Sequence, residues 1–182
     1  MRVLLVESVP EPTPASSIVS ELLAGRGHEV VPLDLRAEGF DRFMSEAERR
    51  AYHEEDNLVT AEQRRSVELV RSVDALVLVS TLREGTLDPV VKSWFERVFI
   101  PGVSFTFTPA GRITAALRNI KRIGMVLECP DDDVVPHRRV TGPRSVVRAV
   151  RLNAARTCRT TYLALAPETD RRSAVELAFK RW

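Results

Sequence analysis

A chain of 182 residues, 44% of them hydrophobic and 29% charged, carries enough apolar material for one substantial core, so a single domain over residues 1–182 is expected. No apolar run approaches the ~20 residues of a bilayer span. Met1-Arg2-Val3 leads straight into an apolar strand rather than a signal peptide, and two cysteines are too few for a disulfide framework. A membrane partner is therefore excluded and a cytoplasmic location expected.

In chain order, residues 3–6 form a short apolar run of buried-strand type. Residues 17–24 then carry helical spacing at Ile18, Leu22 and Leu23, closed by Gly25 or Gly27. Residues 29–33 read as a second strand. Residues 45–52 and 60–72 are acid- and arginine-rich helical segments, the latter with Val67, Leu69 and Val70 turned inward. Residues 75–79 are almost entirely apolar, which suits a central parallel strand covered on both faces. A helix is predicted over 90–99, strands over 122–127 and 160–166, and a closing helix over 173–181. This β-α alternation implies an α/β fold with a doubly wound parallel sheet.

The net charge of +2 hides an asymmetry: residues 1–100 hold 12 basic and 18 acidic side chains, and residues 101–182 hold 15 and 7. Seven arginines and no acid lie between Arg138 and Arg159. Val146, Val147 and Val150 punctuate that run like an amphipathic helix with a solvated face. With no interleaved aromatics, nucleic acid is not an expected partner. The GxSxG elbow, the Walker lysine loop, HExxH and the glycine-rich dinucleotide fingerprint are all absent. Cys129 and Cys158 fit no zinc pattern. The triplet Asp131 to Asp133 points its carboxylates in different directions, so no metal is expected.

The segment Lys92-Ser93-Trp94-Phe95-Glu96-Arg97-Val98-Phe99-Ile100-Pro101-Gly102 resembles the KxWFDRVFxPG helix of flavodoxin-like NAD(P)H:quinone oxidoreductases, the group of DT-diaphorase and the bacterial potassium-efflux ancillary reductases. Upstream, Gly39-Phe40-Asp41-Arg42-Phe43-Met44-Ser45-Glu46-Ala47-Glu48-Arg49-Arg50-Ala51-Tyr52 is similar to that family's GFDPxxSxxERxxY. The resemblance implies a five-stranded parallel sheet in the order 2-1-3-4-5. Bound FMN or FAD, NAD(P)H as cosubstrate and a homodimer, with the segment from Phe105 to Phe107 near the interface, follow from it too.

In such sheets the ligand sits beyond the carboxyl ends of the strands, where the order reverses. The loop after the first strand, Glu7 to Ser17, stands where the family holds flavin phosphate at a helix N-terminus. Pro10 and Pro12 keep the family outline, and Thr13, Ser16 and Ser17 are the candidate donors. Ser16 or Ser17 can equally cap the helix. Glu7 and Glu11 place negative charge nearby, against a tight anion site.

After the third strand, Leu82, Gly85 and Pro89 keep the family outline, while Arg83 and Glu84 replace an aromatic pair. A guanidinium there can stack on a ring or pair with reduced flavin, or Arg83 and Glu84 can neutralise each other. After the fourth strand, Glu128, Cys129 and Pro130 replace a glycine-rich segment bordering the flavin. Cys129 is either a nucleophile or redox thiol or a packed apolar residue. His137 stands close to a family histidine that donates a proton to substrate, or is a surface loop residue.

The reaction implied is two-step hydride transfer, from NAD(P)H to flavin and from flavin to a quinone-like or conjugated small-molecule acceptor. Charged replacements in three cofactor loops keep two alternatives open. One is a flavin-free enzyme doing acid–base chemistry on a small metabolite with Arg83, Glu84, Glu128, Cys129 and His137, of the kind that tailors secondary metabolites; the other is a non-catalytic regulatory subunit.

Overall fold

The computed structural model describes residues 1–8, 13–130 and 141–182. The main sheet is built from β1 (Arg2–Glu7), β2 (Glu29–Asp34), β3 (Ala75–Arg83), β7 (Arg122–Glu128) and β8 (Arg159–Leu165) in the order β2-β1-β3-β7-β8, all parallel. This is the expected 2-1-3-4-5 arrangement. The apolar runs of β1, β3 and β7 leave almost no exposed side chain, as strands covered on both faces require.

Alternation sorts each strand between two cores. Leu4, Val6, Leu76, Leu78, Ile123 and Met125 face α3 (Ala61–Ser72), α4 (Pro89–Val98) and α5 (Thr141–Asn153). Val3, Leu5, Ala75, Val77 and Val126 face α1 (Pro14–Gly25) and α6 (Arg171–Ala178). On the second face a Cβ on Gly124 would lie 3.1 Å from the Phe179 ring and 3.3 Å from Trp182, so glycine lets the chain end pack flat on the sheet. Val147 and Val150 of α5 are buried, and Arg144 and Arg148 are exposed, as the amphipathic reading expects.

The family-like segments turn out to be mutual packing partners. Trp94 is buried and its indole N–H donates to Ser66 Oγ at 2.7 Å. Arg97, buried on the next turn, donates through Nε to Glu48 at 2.6 Å and through Nη1 to Gly39 O at 3.1 Å, with its guanidinium 4.9 Å from the centre of the Phe40 ring. Ser45 and Glu48 form a reciprocal capping box at the start of α2 (Glu46–Ala51). Asn57 donates to Pro101 O at 2.8 Å, and Ser93 donates to Arg42 O at 2.6 Å.

Three features depart from the expected elements. Helix α1 begins at Pro14, with Thr13 rather than Ser16 or Ser17 as its N-cap, because the Thr13 hydroxyl accepts from Ser16 N–H. Strand β3 runs on to Arg83 and turns back into a short antiparallel strand, β4 (Thr86–Leu87). Residues that carry no clear period form a separate antiparallel hairpin, β5 (Phe105–Phe107) and β6 (Ile113–Ala115). Among the described residues no helix is long and apolar enough to cross a membrane.

Candidate functional site

The order reverses between β1 and β3, and the carboxyl ends of β1, β3 and β7 lie side by side there. Hydrogen bonds stitch the three strand ends together. The buried Ser8 hydroxyl donates to Ser80 Oγ at 2.9 Å, tying β1 to β3. Thr81 stands beside Glu128 in the β3–β7 register. Arg36, just beyond β2, donates through Nε to Ser8 O at 2.9 Å and pairs with Asp88 at 2.7 Å, the N-cap of α4. Two adjoining hollows of about 240 and 160 Å³ share Arg36, Asp88 and Pro89 as walls, the larger one also lined by Thr81, Arg83 and Leu87. A hollow of about 500 Å³ between residues 55–58 and Gly102 shares no lining residue with these loops.

The β3–β4 turn explains how Arg83 and Glu84 are displayed. Leu82 pairs with Leu87 and Arg83 with Thr86, leaving Glu84 and Gly85 as a two-residue loop. Their φ angles are 49° and 73°, the left-handed geometry of a type I′ hairpin turn. Glycine adopts it freely; Glu84, with its Cβ, does so at a cost of roughly 1–2 kcal/mol. Leu82 is buried beneath the turn, and Arg83 and Glu84 project into solvent with no ion pair to a described residue.

The start of α1 is the decisive geometry. Pro14 has no N–H to offer. The Ala15 N–H donates to Glu128 Oε1 at 3.1 Å, the Ser16 N–H to Thr13 Oγ1 at 3.1 Å, and the Ser17 N–H to Thr13 O at 3.1 Å. The Ser16 hydroxyl turns inward and donates to the buried Glu7 carboxylate. The backbone N–H groups of Ala15, Ser16 and Ser17 are therefore all engaged, that of Ala15 by a carboxylate, and a second carboxylate takes the Ser16 hydroxyl. A flavin phosphate needs those N–H groups free and its surroundings without negative charge. The described residues do not fit one.

Thr13 and Glu128 thus accept from successive N–H groups at the start of α1, those of Ser16 and Ala15, while Ser17 and Pro130 are exposed. Cys129 follows Glu128 but is buried, with its N–H donating to Leu165 O at 2.8 Å. Burial, with the Glu128 charge adding to it, pushes its thiol pKa up and disfavours the thiolate. His137 and Asp131 to Asp133, like Pro10, Glu11 and Pro12, lie outside the described residues. Arg36 and Arg171 escaped the sequence reading. Arg171 begins α6 and brings its Nε to 3.9 Å from Glu128 Oε2, a contact across 43 residues that no local pattern announces.

No curated protein matches the chain. Among solved structures, an NAD(P)H:quinone oxidoreductase from Methanothermobacter marburgensis superposes with a TM-score of 0.73 at 18% identity, covering 99% of this chain and 96% of that one. An azoreductase from Bacillus anthracis str. Sterne gives 0.72 at 15% identity over 98% and 97%. An FMN-dependent NADH-azoreductase from Bacillus anthracis str. Ames Ancestor, in complex with FMN, gives 0.65 at 12% identity over 99% and 95%. Identities this low speak for a common fold. The flavodoxin-like fold family itself matches residues 1–129, from β1 through the end of β7, and this chain belongs to it.

Proposed function

We propose that this chain is a cytoplasmic oxidoreductase of the NAD(P)H-dependent flavodoxin-like kind, acting on a quinone-like or other conjugated small molecule at the carboxyl ends of β1, β3 and β7. The observation that carries the proposal is the adjacency of those three strand ends where the sheet order reverses, in a chain whose fold matches an NAD(P)H:quinone oxidoreductase and azoreductases along nearly its full length. The cleft floor is rigid, since the Ser8–Ser80 and Arg36–Asp88 contacts fix it, while the β3–β4 turn holds Arg83 over its rim. In this role Arg36 and Asp88 shape the hollow, and Arg83 supplies positive charge to a carbonyl or anionic edge of the ligand. The packed Cys129 contributes apolar surface.

FMN is the cofactor this reading favours, since one structural neighbour is described as FMN-dependent. With the first turn of α1 closed, such a flavin takes its phosphate contacts from other residues. That closure is the specific observation favouring a second reading, a flavin-free enzyme using the same cleft. We also place a second copy of the chain against the β5–β6 hairpin, where Phe105, Phe107, Ile113 and Ala115 share one face and Phe107 and Ile113 are 55% and 65% exposed.

The visible spectrum of the purified protein after reconstitution tests the main reading. Flavin bands at near-unit stoichiometry that bleach with NAD(P)H support it. A protein that stays colourless with both FMN and FAD sinks it in favour of the flavin-free enzyme. Sedimentation of the same preparation should give a dimer, and a monomer at micromolar concentration removes the hairpin interface.

A further inference from the structure

We infer that Glu128 is a tethered anion that occupies the phosphate position of the fold and competes with any phosphate for the start of α1. The inference rests on the proposed site only for its location. Glu128 ends β7, 113 residues from Ala15, yet its Oε1 accepts the Ala15 N–H at 3.1 Å, the contact a phosphate oxygen makes at such a helix start. Glu7 adds a second carboxylate below it, taking the Ser16 hydroxyl.

Glu128 has an alternative partner. Its other oxygen lies 3.9 Å from Arg171 Nε, beyond hydrogen-bond range, and that buried Nε has no hydrogen-bond partner among the described residues. A small rotation of the Glu128 side chain would exchange the Ala15 N–H for the Arg171 guanidinium and open the helix start. The closed state leaves the Arg171 Nε unmet, and the open state leaves the Ala15 N–H unmet and available to another anion. The carboxylate thus sits between two competing donors. A simple cap makes the same contact with Ala15, so only competition with a ligand separates a cap from a gate.

The test compares FMN with riboflavin, which differ only in the phosphate, in wild type and in Glu128→Ala and Glu128→Gln, with inorganic phosphate as a second probe. In wild type the two flavins should bind within about twofold of each other, because the phosphate finds no donor. In Glu128→Ala the preference for FMN should rise by about tenfold or more, the value of a charge-assisted contact. Glu128→Gln, which keeps an acceptor but loses the charge, should fall between.

Inorganic phosphate titrated against backbone amide NMR signals should shift Ala15 and Ser16 saturably in Glu128→Ala but not in wild type. A wild type that already prefers FMN strongly, or a Glu128→Ala variant with neither the new preference nor the amide shifts, overturns the inference. Failure of all flavins to bind removes the flavin reading. The amide shifts then decide the fate of Glu128 on their own, supporting the gate if they appear in the variant alone and overturning it if they do not.

Discussion

Glu48 at the start of α2 and Glu128 at the start of α1 each accept a backbone N–H, and they are held very differently. Glu48 lies within the helix it caps. It accepts the Ser45 N–H at 2.7 Å and the Arg97 Nε at 2.6 Å, with the more exposed Glu62 3.6 Å from Arg97 on its other side. Glu128 arrives from a distant strand, meets one N–H of α1 and stands outside hydrogen-bond range of Arg171. Glu48 is held by two short hydrogen bonds, Glu128 by a single longer one. The stretch most like the family is therefore its structural clamp, whereas the strand-end loops proposed to carry chemistry are where this chain departs from the family outline.

The largest effect should come from the clamp. Trp94→Ala is expected to cost about 3 to 5 kcal/mol, since it empties a large buried volume and leaves Ser66 without its indole partner. A denaturation midpoint equal to that of wild type would detach the clamp from the core.

Glu48→Gln comes next, at about 3 kcal/mol, because it leaves the buried Arg97 charge undercompensated. Burial works against ionisation of Glu48, but the Ser45 N–H and the Arg97 guanidinium outweigh it, so its pKa lies below the ordinary value. A lowered folded-state pKa gives stability that is complete above the unfolded-state value of about 4.3 and is lost as pH falls through the lower folded value. Wild type should therefore lose thermal stability in acid more steeply than Glu48→Gln. Parallel curves of Tm against pH would show that Glu48 gains nothing from its charge.

The smallest effect should be Glu128→Ala, at about 1 kcal/mol, the ordinary value of one helix cap. A loss as large as that of Glu48→Gln would make Glu128 an anchor too and erase the contrast between the two carboxylates.

Much of the fold was legible because its signals are local. Apolar runs at 3–6, 75–79 and 122–127 gave the central strands, and the spacing of Val67, Val70, Trp94 and Val98 gave two helix faces. The β5–β6 hairpin was missed because Phe105, Thr106 and Phe107 are too short a run to show a period. The long β3 was missed because Ser80, Thr81 and Arg83 interrupt its apolar pattern just where it leaves the sheet for its own hairpin.

At the site, the sequence identified Thr13, Ser16 and Glu128 as residues of the strand-end loops and marked the negative charge beside them. It fixed their chemistry and their place along the chain, since strand ends and turn residues are set by neighbours. Only the tertiary structure decided what they do to one another: parallel pairing through β3 brings the end of β7 up to the start of α1, and packing of α6 delivers Arg171. Donor and acceptor meet across more than a hundred residues there, and a contact of that separation follows from sheet order and helix packing, which no local pattern encodes.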